Sequence, residues 1–235
     1  MNGKPHLVLV PGLLCDAELW AHQIGHLEDI AECHVGDTRR DDTIAGMADT
    51  ILKTAPRRFA LAGLSMGGYV CFEVMRQAPE RVFRLALLDT AAPADTEERK
   101  RNRLDLIRLA EIGEFKGVAP RLLPQFIHPG RLQDGTLTDA VMDMTQRVGQ
   151  EAFVRQQHAI MGRIDSRPHL AAINVPTLLL CGREDALTPV ERHVEIAGAI
   201  PGARLAIIED CGHLTTMERP QAVTALMRDW MLYDR

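Results

Sequence analysis

A serine stands between glycines in Gly63-Leu64-Ser65-Met66-Gly67-Gly68. The apolar run Phe59-Ala60-Leu61-Ala62 precedes it, and a helix-like run from Tyr69 to Gln77 follows. That spacing has the form of a nucleophile elbow, a sharp strand-to-helix turn that lifts one side chain above a sheet. The turn itself selects these residue types. A serine there takes a strained backbone conformation, and Gly63 and Gly67 lack the side chains that would collide with neighbouring elements. The helix N-terminus behind Ser65 offers backbone N–H groups to a developing negative charge. The plainer alternative is a glycine-rich turn with a helix-capping serine.

A serine hydroxyl is mostly protonated near neutrality, so a nucleophile at Ser65 needs a base. Two later segments supply candidates. Val175-Pro-Thr-Leu-Leu-Leu-Cys-Gly-Arg-Glu-Asp185 reads as a buried strand ending in a loop that carries an acid. Ala203-Arg-Leu-Ala-Ile-Ile-Glu-Asp-Cys-Gly-His213 reads as another, ending in a loop with a histidine. His213 would take the serine proton and return it to the leaving group, while Asp185 would fix the imidazole tautomer. Asp89, at the end of the run Leu85-Ala-Leu-Leu88, competes with Asp185 for that role, or caps the following turn. The N–H of Met66, immediately after the nucleophile, is one expected oxyanion donor.

The order Ser65, Asp185, His213 is that of the α/β-hydrolases and differs from the chymotrypsin and subtilisin orders. The chain resembles a small α/β-hydrolase over essentially its whole length. The matching pieces are Pro11-Gly12-Leu13-Leu14 with Trp20, the elbow, Gly182-Arg-Glu-Asp185 with Leu187-Thr-Pro189, and Gly212-His213 with Glu218-Arg-Pro220. The resemblance favours Asp185 over Asp89 and implies the Leu13 N–H as the second oxyanion donor. Two stretches depart from the family. Pro11-Gly12 stands where His-Gly is usual, and Asp37-Thr-Arg-Arg-Asp-Asp-Thr43 replaces a frequent Asp-x-Arg-Gly-x-Gly-x-Ser loop, implying a shorter loop beside the pocket.

These pieces need a scaffold. With 235 residues, 46% hydrophobic and 25% charged, the chain suits one sizeable α/β core. A net charge of −5 gives no electrostatic case for nucleic acid or an anionic membrane. Five scattered cysteines, odd in number and without C-x-x-C spacing, argue against a disulfide framework or structural zinc. The start of the chain runs into a strand too short for a signal h-region or membrane span, so a cytoplasmic setting is expected.

Apolar runs at His6–Val10, Phe59–Ala62, Phe83–Leu88, Thr177–Cys181 and Arg204–Ile208, with a weak one at Cys33–Val35, read as strands. Helical patterns alternate with them at Ala17–Glu28, Thr43–Thr54, Met66–Gln77, Pro189–Ala199 and Pro220–Leu232. The fold class is therefore α/β: a sheet of about six strands, all parallel, with helices on both faces. Between Ala91 and Ala172 only helical patterns occur: Glu97–Ile112, Val118–Phe126, Leu137–Arg147 and Glu151–Met161. The expected division is a core of residues 1–90 and 173–235 with a helical cap of 91–172. The cap's Leu122, Leu123, Phe126, Ile127, Met142, Met144, Phe153, Ile160 and Met161 should mostly pack on one another, with a minority lining a mainly apolar pocket.

Some features read as structural. His22 and His26 have metal-ligand spacing but lie roughly 200–240° from Trp20 around their helix, on a solvent face with no third ligand. Arg99-Lys-Arg-Asn-Arg103, interleaved with Glu97, Glu98 and Asp105, reads as a solvated cap face. Cys15 and Cys211 read as buried, inert thiols. The expected activity is hydrolysis of an ester, thioester or lactone of a small, partly apolar acid, with no metal and no cofactor. Open alternatives are a C–C bond hydrolase, enol-lactonase, perhydrolase or lyase-type synthase on the same residues, and a non-catalytic small-molecule receptor.

Overall fold

A computed structural model describes residues 3–233. Its centre is one six-stranded sheet in the order β2-β1-β3-β4-β5-β6. The strands are β1 His6–Val10, β2 Glu32–Val35, β3 Phe59–Leu64, β4 Val82–Leu88, β5 Thr177–Gly182 and β6 Arg204–Ile208, and every neighbouring pair is parallel. β3 and β5 are buried along their whole length, which is why they read as unbroken apolar runs. The edge strand β2 is mostly exposed, and its signal in the sequence is correspondingly weak.

Alternate side chains feed two cores. Leu7, Leu9, Ala62 and Leu64 pack beneath α1 (Ala21–Leu27) and α9 (Pro220–Leu232). Val8, Val10, Leu61 and Leu85 pack against α2 (Ile44–Thr54), α3 (Met66–Gln77) and α7 (Val190–Ala199). Helices therefore cover both faces, as the strand–helix alternation predicts. A parallel sheet delivers all strand C-termini to one edge, so Leu13, Ser65, Asp89, Asp185 and His213 emerge together. The chain reverses its direction of travel across the sheet between β1 and β3, and that switch point brings the Leu13 loop beside Ser65.

Between β4 and β5 lie α4 (Glu97–Leu109), a short π-helical turn (Ala110–Glu114), α5 (Phe115–Phe126) and α6 (Gly135–Met161). The two helices that the sequence suggests, Leu137–Arg147 and Glu151–Met161, both lie within α6 and meet at Gly149, whose backbone is not helical and whose φ is +81°. A glycine adopts that left-handed value without a Cβ penalty, so the axis bends there and both halves stay helical. α8 (Thr215–Glu218) is a single turn after the His213 loop.

Candidate active site

Ser65 sits at the junction of β3 and α3 with φ 57° and ψ −115°. Non-glycine residues rarely take a positive φ, and they persist there only when surroundings over-determine them. The hydrogen bonds do so. Ser65 N donates to Leu88 O at 2.9 Å, while Ser65 O accepts from Gly68 N at 2.9 Å and from the Thr90 hydroxyl at 2.8 Å. Packing closes the turn. A Cβ on Gly63 would stand 2.3 Å from Gly67 O, and one on Gly67 would stand 2.1 Å from Val10 O. The glycine spacing is thus set by helix-to-strand approach.

Ser65 Oγ lies 2.8 Å from His213 Nε2. His213 Nδ1 lies 2.8 Å from Asp185 Oδ2 and 2.9 Å from Oδ1. An ionised carboxylate only accepts, so Nδ1 carries the proton and the bare Nε2 faces the serine hydroxyl. Both partners are buried, with His213 2% and Asp185 3% exposed. The Asp185 carboxylate also accepts from Leu187 N and Thr188 N, each at 2.9 Å, and from the Thr188 hydroxyl at 2.6 Å. Burial opposes its ionisation. The charge and hydrogen bond of His213, with the Thr188 donors, outweigh burial and hold the carboxyl well below the usual range.

Asp89, the competing acid, does not touch the imidazole. Fully buried with φ 45°, it accepts from Gly182 N at 3.0 Å and from the Thr215 hydroxyl at 2.6 Å. Burial, then the charge of Asp185, push its carboxyl well above the usual range against those hydrogen bonds. Two adjacent carboxyls are thereby driven in opposite directions, and Asp185 is the one held ionised.

The loop of His213 is fastened by residues that the sequence reading left without a task. Glu218, 2% exposed, accepts from Gly212 N at 3.0 Å, Leu214 N at 3.3 Å and His128 N at 2.8 Å. Glu184 accepts from Cys211 N at 2.9 Å, so it braces the same loop from the acid's side. Backbone N–H groups of His213 and Leu214 both donate to Phe126 O, at 3.1 and 3.0 Å, tying α5 to the His213 loop. Gln156 on α6, fully buried, accepts from Leu14 N at 3.0 Å and donates to Thr38 O at 3.3 Å. It holds Leu14 at φ 60° in the loop after β1. Among the described residues, the N–H groups of Leu13 and Met66 make no hydrogen bond.

Comparison with known proteins places the chain in a family. The Alpha/beta hydrolase family model matches residues 7–226. The chain belongs to that family. It is 26% identical to a putative carbamate hydrolase of Serratia proteamaculans, over 97% of this chain and 91% of that protein. It is 25% identical to a pimeloyl-[acyl-carrier protein] methyl ester esterase of Aromatoleum aromaticum, over 96% of this chain and 98% of the relative. Among solved structures it resembles a thermophilic esterase from Thermogutta terrifontis, with a TM-score of 0.89 and 28% identity, over 98% and 90% of the two chains. An enol-lactonase from Burkholderia xenovorans is similar, with a TM-score of 0.88 and 26% identity, over 99% and 93%.

In this α/β-hydrolase, Ser65 and His213 open into a cavity of about 220 Å³. Leu13, Leu64 and Leu214 line its floor, and Leu106, Leu122, Phe126 and Ile160 come from the helices above. Of the other apolar residues picked out between β4 and β5, Ile127, Met144 and Phe153 are buried away from it, and Leu123, Met142 and Met161 are partly exposed outside it. The wall is more polar than the sequence suggested. Arg99, Asn102 and Arg103 line the cavity, so one side of the basic run borders the pocket, while Arg101 is exposed and Lys100 pairs with Glu97 as in a solvated face. The missed signal is their spacing with Leu106, which puts all four on one helix face.

Cys15 also lines the cavity, but burial pushes its thiol up to about 12, and Cys211 is raised well above its ordinary value by burial too. His22 is not solvent-facing as expected: its Nδ1 lies 2.8 Å from the Thr224 hydroxyl on α9. Among the described residues two clusters bring metal-ligand types within 4.8 Å of one another: His6, Glu32 and His34, and Asp89, Cys181 and Asp185. The first lies at the opposite end of the strands from Ser65, and the carboxyls of the second are engaged in the hydrogen bonds above. No described helix is long and apolar enough to cross a membrane.

Proposed function

We propose that this protein is a serine hydrolase that cleaves an ester, thioester or lactone of a small, partly apolar acid through an acyl-enzyme. The observation that carries this reading is the chain of contacts from Asp185 through His213 to Ser65, 2.8 Å on each side of the imidazole. His213 Nε2 takes the proton of Ser65 Oγ as the oxygen attacks the carbonyl carbon. The negative oxygen of the tetrahedral intermediate is received by the Leu13 and Met66 N–H groups, a role supported by the absence of other partners for them among the described residues. The imidazolium, stabilised by ionised Asp185, gives its proton to the departing alkoxide or thiolate. Water then attacks the acyl-serine, again losing its proton to His213, and the acid leaves with Ser65 restored.

Residues 91–172 act as a cap over a core of 1–90 and 173–235; the support is that α4, α5 and α6 supply the cavity wall facing Ser65. No metal or organic cofactor enters this scheme, and the substrate is a small molecule. The five free cysteines fit a cytoplasmic setting. Likeness to an enol-lactonase keeps cyclic esters within the class. Turnover of short chromogenic acyl esters tests the reading against a receptor role. Ser65→Ala should lower kcat by roughly a thousandfold or more. Ligand-induced stabilisation without any turnover would instead favour the receptor.

A further inference from the structure

The polar stripe of α4 gives the cavity a charge. Arg99 and Arg103 line it, and no carboxylate does among the described residues. Arg103 Nε lies 2.6 Å from Asp95 Oδ2, and Arg163 reaches the same carboxylate from the other side at 2.8 Å. Arg163 also covers the Tyr69 ring, 4.1 Å from its centroid, and Tyr69 lines the cavity. Two guanidiniums therefore share the single carboxylate of Asp95. Arg99 has no carboxylate within ion-pair distance among the described residues, and one of its amino groups donates to Leu187 O at 3.0 Å.

Gln157 adds a second, independent observation. It is fully buried and lines the same cavity. Its Oε1 accepts from Arg103 Nη1 at 2.7 Å. A guanidinium has no acceptor, so this contact fixes the orientation of the amide. Gln157 Nε2 is thereby left as a buried donor with no acceptor in the fold. A buried donor without a partner is costly and points to a ligand acceptor.

We infer that the cavity takes an ester bearing a carboxylate remote from the scissile bond, such as a half-ester of a short dicarboxylic acid. Arg99, Arg103 and Gln157 Nε2 receive that carboxylate through charge-assisted and neutral hydrogen bonds. Leu106, Leu122 and Ile160 cover the methylenes between the two ends. The volume of about 220 Å³ limits the acid to a few carbons, because pockets for drug-sized ligands run to roughly 300–1,000 Å³. This inference rests on the acyl-enzyme reading and adds the substrate's charge. Hydrolysis splits water between alcohol and acyl group and leaves the remote carboxylate unchanged, so the product is a dicarboxylate.

The test separates binding from turnover. Ser65→Ala protein is titrated calorimetrically with monoethyl succinate and with ethyl butanoate, in which a methyl group replaces the carboxylate. Monoethyl succinate should bind at least roughly tenfold more tightly, and the margin should shrink as salt rises toward about 1 M. Arg99→Gln in the same background should weaken monoethyl succinate far more than ethyl butanoate. A mere loosening of the Leu187 loop would weaken both alike. Equal affinities, tighter ethyl butanoate, or a preference that survives Arg99→Gln overturns the inference. Turnover by protein with Ser65 intact is read separately. If neither ester is hydrolysed in a Ser65-dependent way, the acyl-enzyme reading fails, while the charge preference is still decided by the titration.

Discussion

The Asp89 carboxylate accepts the Thr215 hydroxyl at 2.6 Å and the Thr215 N–H at 3.3 Å, two residues beyond His213. It grips the loop that carries the imidazole without touching the ring. Asp185 touches the ring and is itself held by the loop that follows it. Two buried carboxyls behind one histidine thus make different contacts: one holds the imidazole ring, the other fastens the loop that carries it.

That division predicts unequal mutants. Asp185→Asn presents an N–H or a neutral oxygen to His213 Nδ1 and favours the wrong tautomer, so kcat should fall by roughly 10³–10⁴. Asp89→Asn keeps an acceptor for Gly182 N and should cost about tenfold or less in kcat, with part of its effect seen as lowered thermal stability. Steady-state kinetics and melting curves on both variants check this. Equal losses in kcat would mean that Asp89 shares the orienting role.

The Asp95 cluster makes a prediction about stability and pH. Asp95→Asn leaves the guanidiniums of Arg103 and Arg163 without their shared counter-charge, which should cost roughly 3–5 kcal/mol. Burial opposes ionisation of Asp95, but the charges of Arg103 and Arg163 prevail and lower its carboxyl below the ordinary value. A carboxyl lowered on folding contributes stability that is full above its unfolded value of about 3.9 and is lost as pH falls through the folded value. The gap in unfolding free energy between the two proteins should therefore be constant near neutrality and narrow below about pH 4. Denaturant titrations from pH 7 to pH 3 are the check, and a gap that widens on acidification would contradict it.

How far the site could be read beforehand follows from what each residue depends on. Ser65, Asp185 and His213 announce themselves because each ends an apolar strand, and strand order in a parallel sheet carries them to one edge. Gly67 was equally legible. Gln156 and Gln157 were not, because a glutamine within a polar helix carries no local mark of burial, and the spacing of Arg103 with Leu106 defines a helix face without saying what that face meets. Their environment is made by docking α4 and α6 over the sheet, a contact between segments far apart in sequence. The half-buried place of His22 is hidden for the same reason, since its partner Thr224 belongs to the last helix. Glu218 stands out in the sequence only as part of a matching motif, and its three backbone contacts emerge from the fold.

The elbow should tolerate no added methyl group. A Cβ at position 67 would meet the Val10 carbonyl oxygen at 2.1 Å, and that oxygen belongs to a strand that cannot swing aside. Gly67→Ala should therefore lower stability by about 1–3 kcal/mol or more and disturb Ser65 with it. A melting temperature equal to that of the unaltered protein would show that α3 can shift away from β1 at little cost.

Thiol reactivity offers a separate check on burial. With its thiol raised to about 12, Cys15 holds almost no thiolate near neutral pH although it borders the cavity. Cys33 is the half-exposed cysteine, and the other four are buried. Brief treatment of folded protein with iodoacetamide, followed by peptide mass spectrometry, should find Cys33 modified first and Cys15 protected until denaturant is added. Early modification of Cys15 would indicate a more open and more polar floor than the one described.

The central claim is that Ser65 is the covalent nucleophile, and active-site labelling tests it most directly. A fluorophosphonate probe should add once per chain, on the peptide containing Ser65, and esterase activity should fall in proportion to the label. Ser65→Ala should neither label nor turn over ester. Label on another residue, or a Ser65→Ala variant with full activity, would contradict the account.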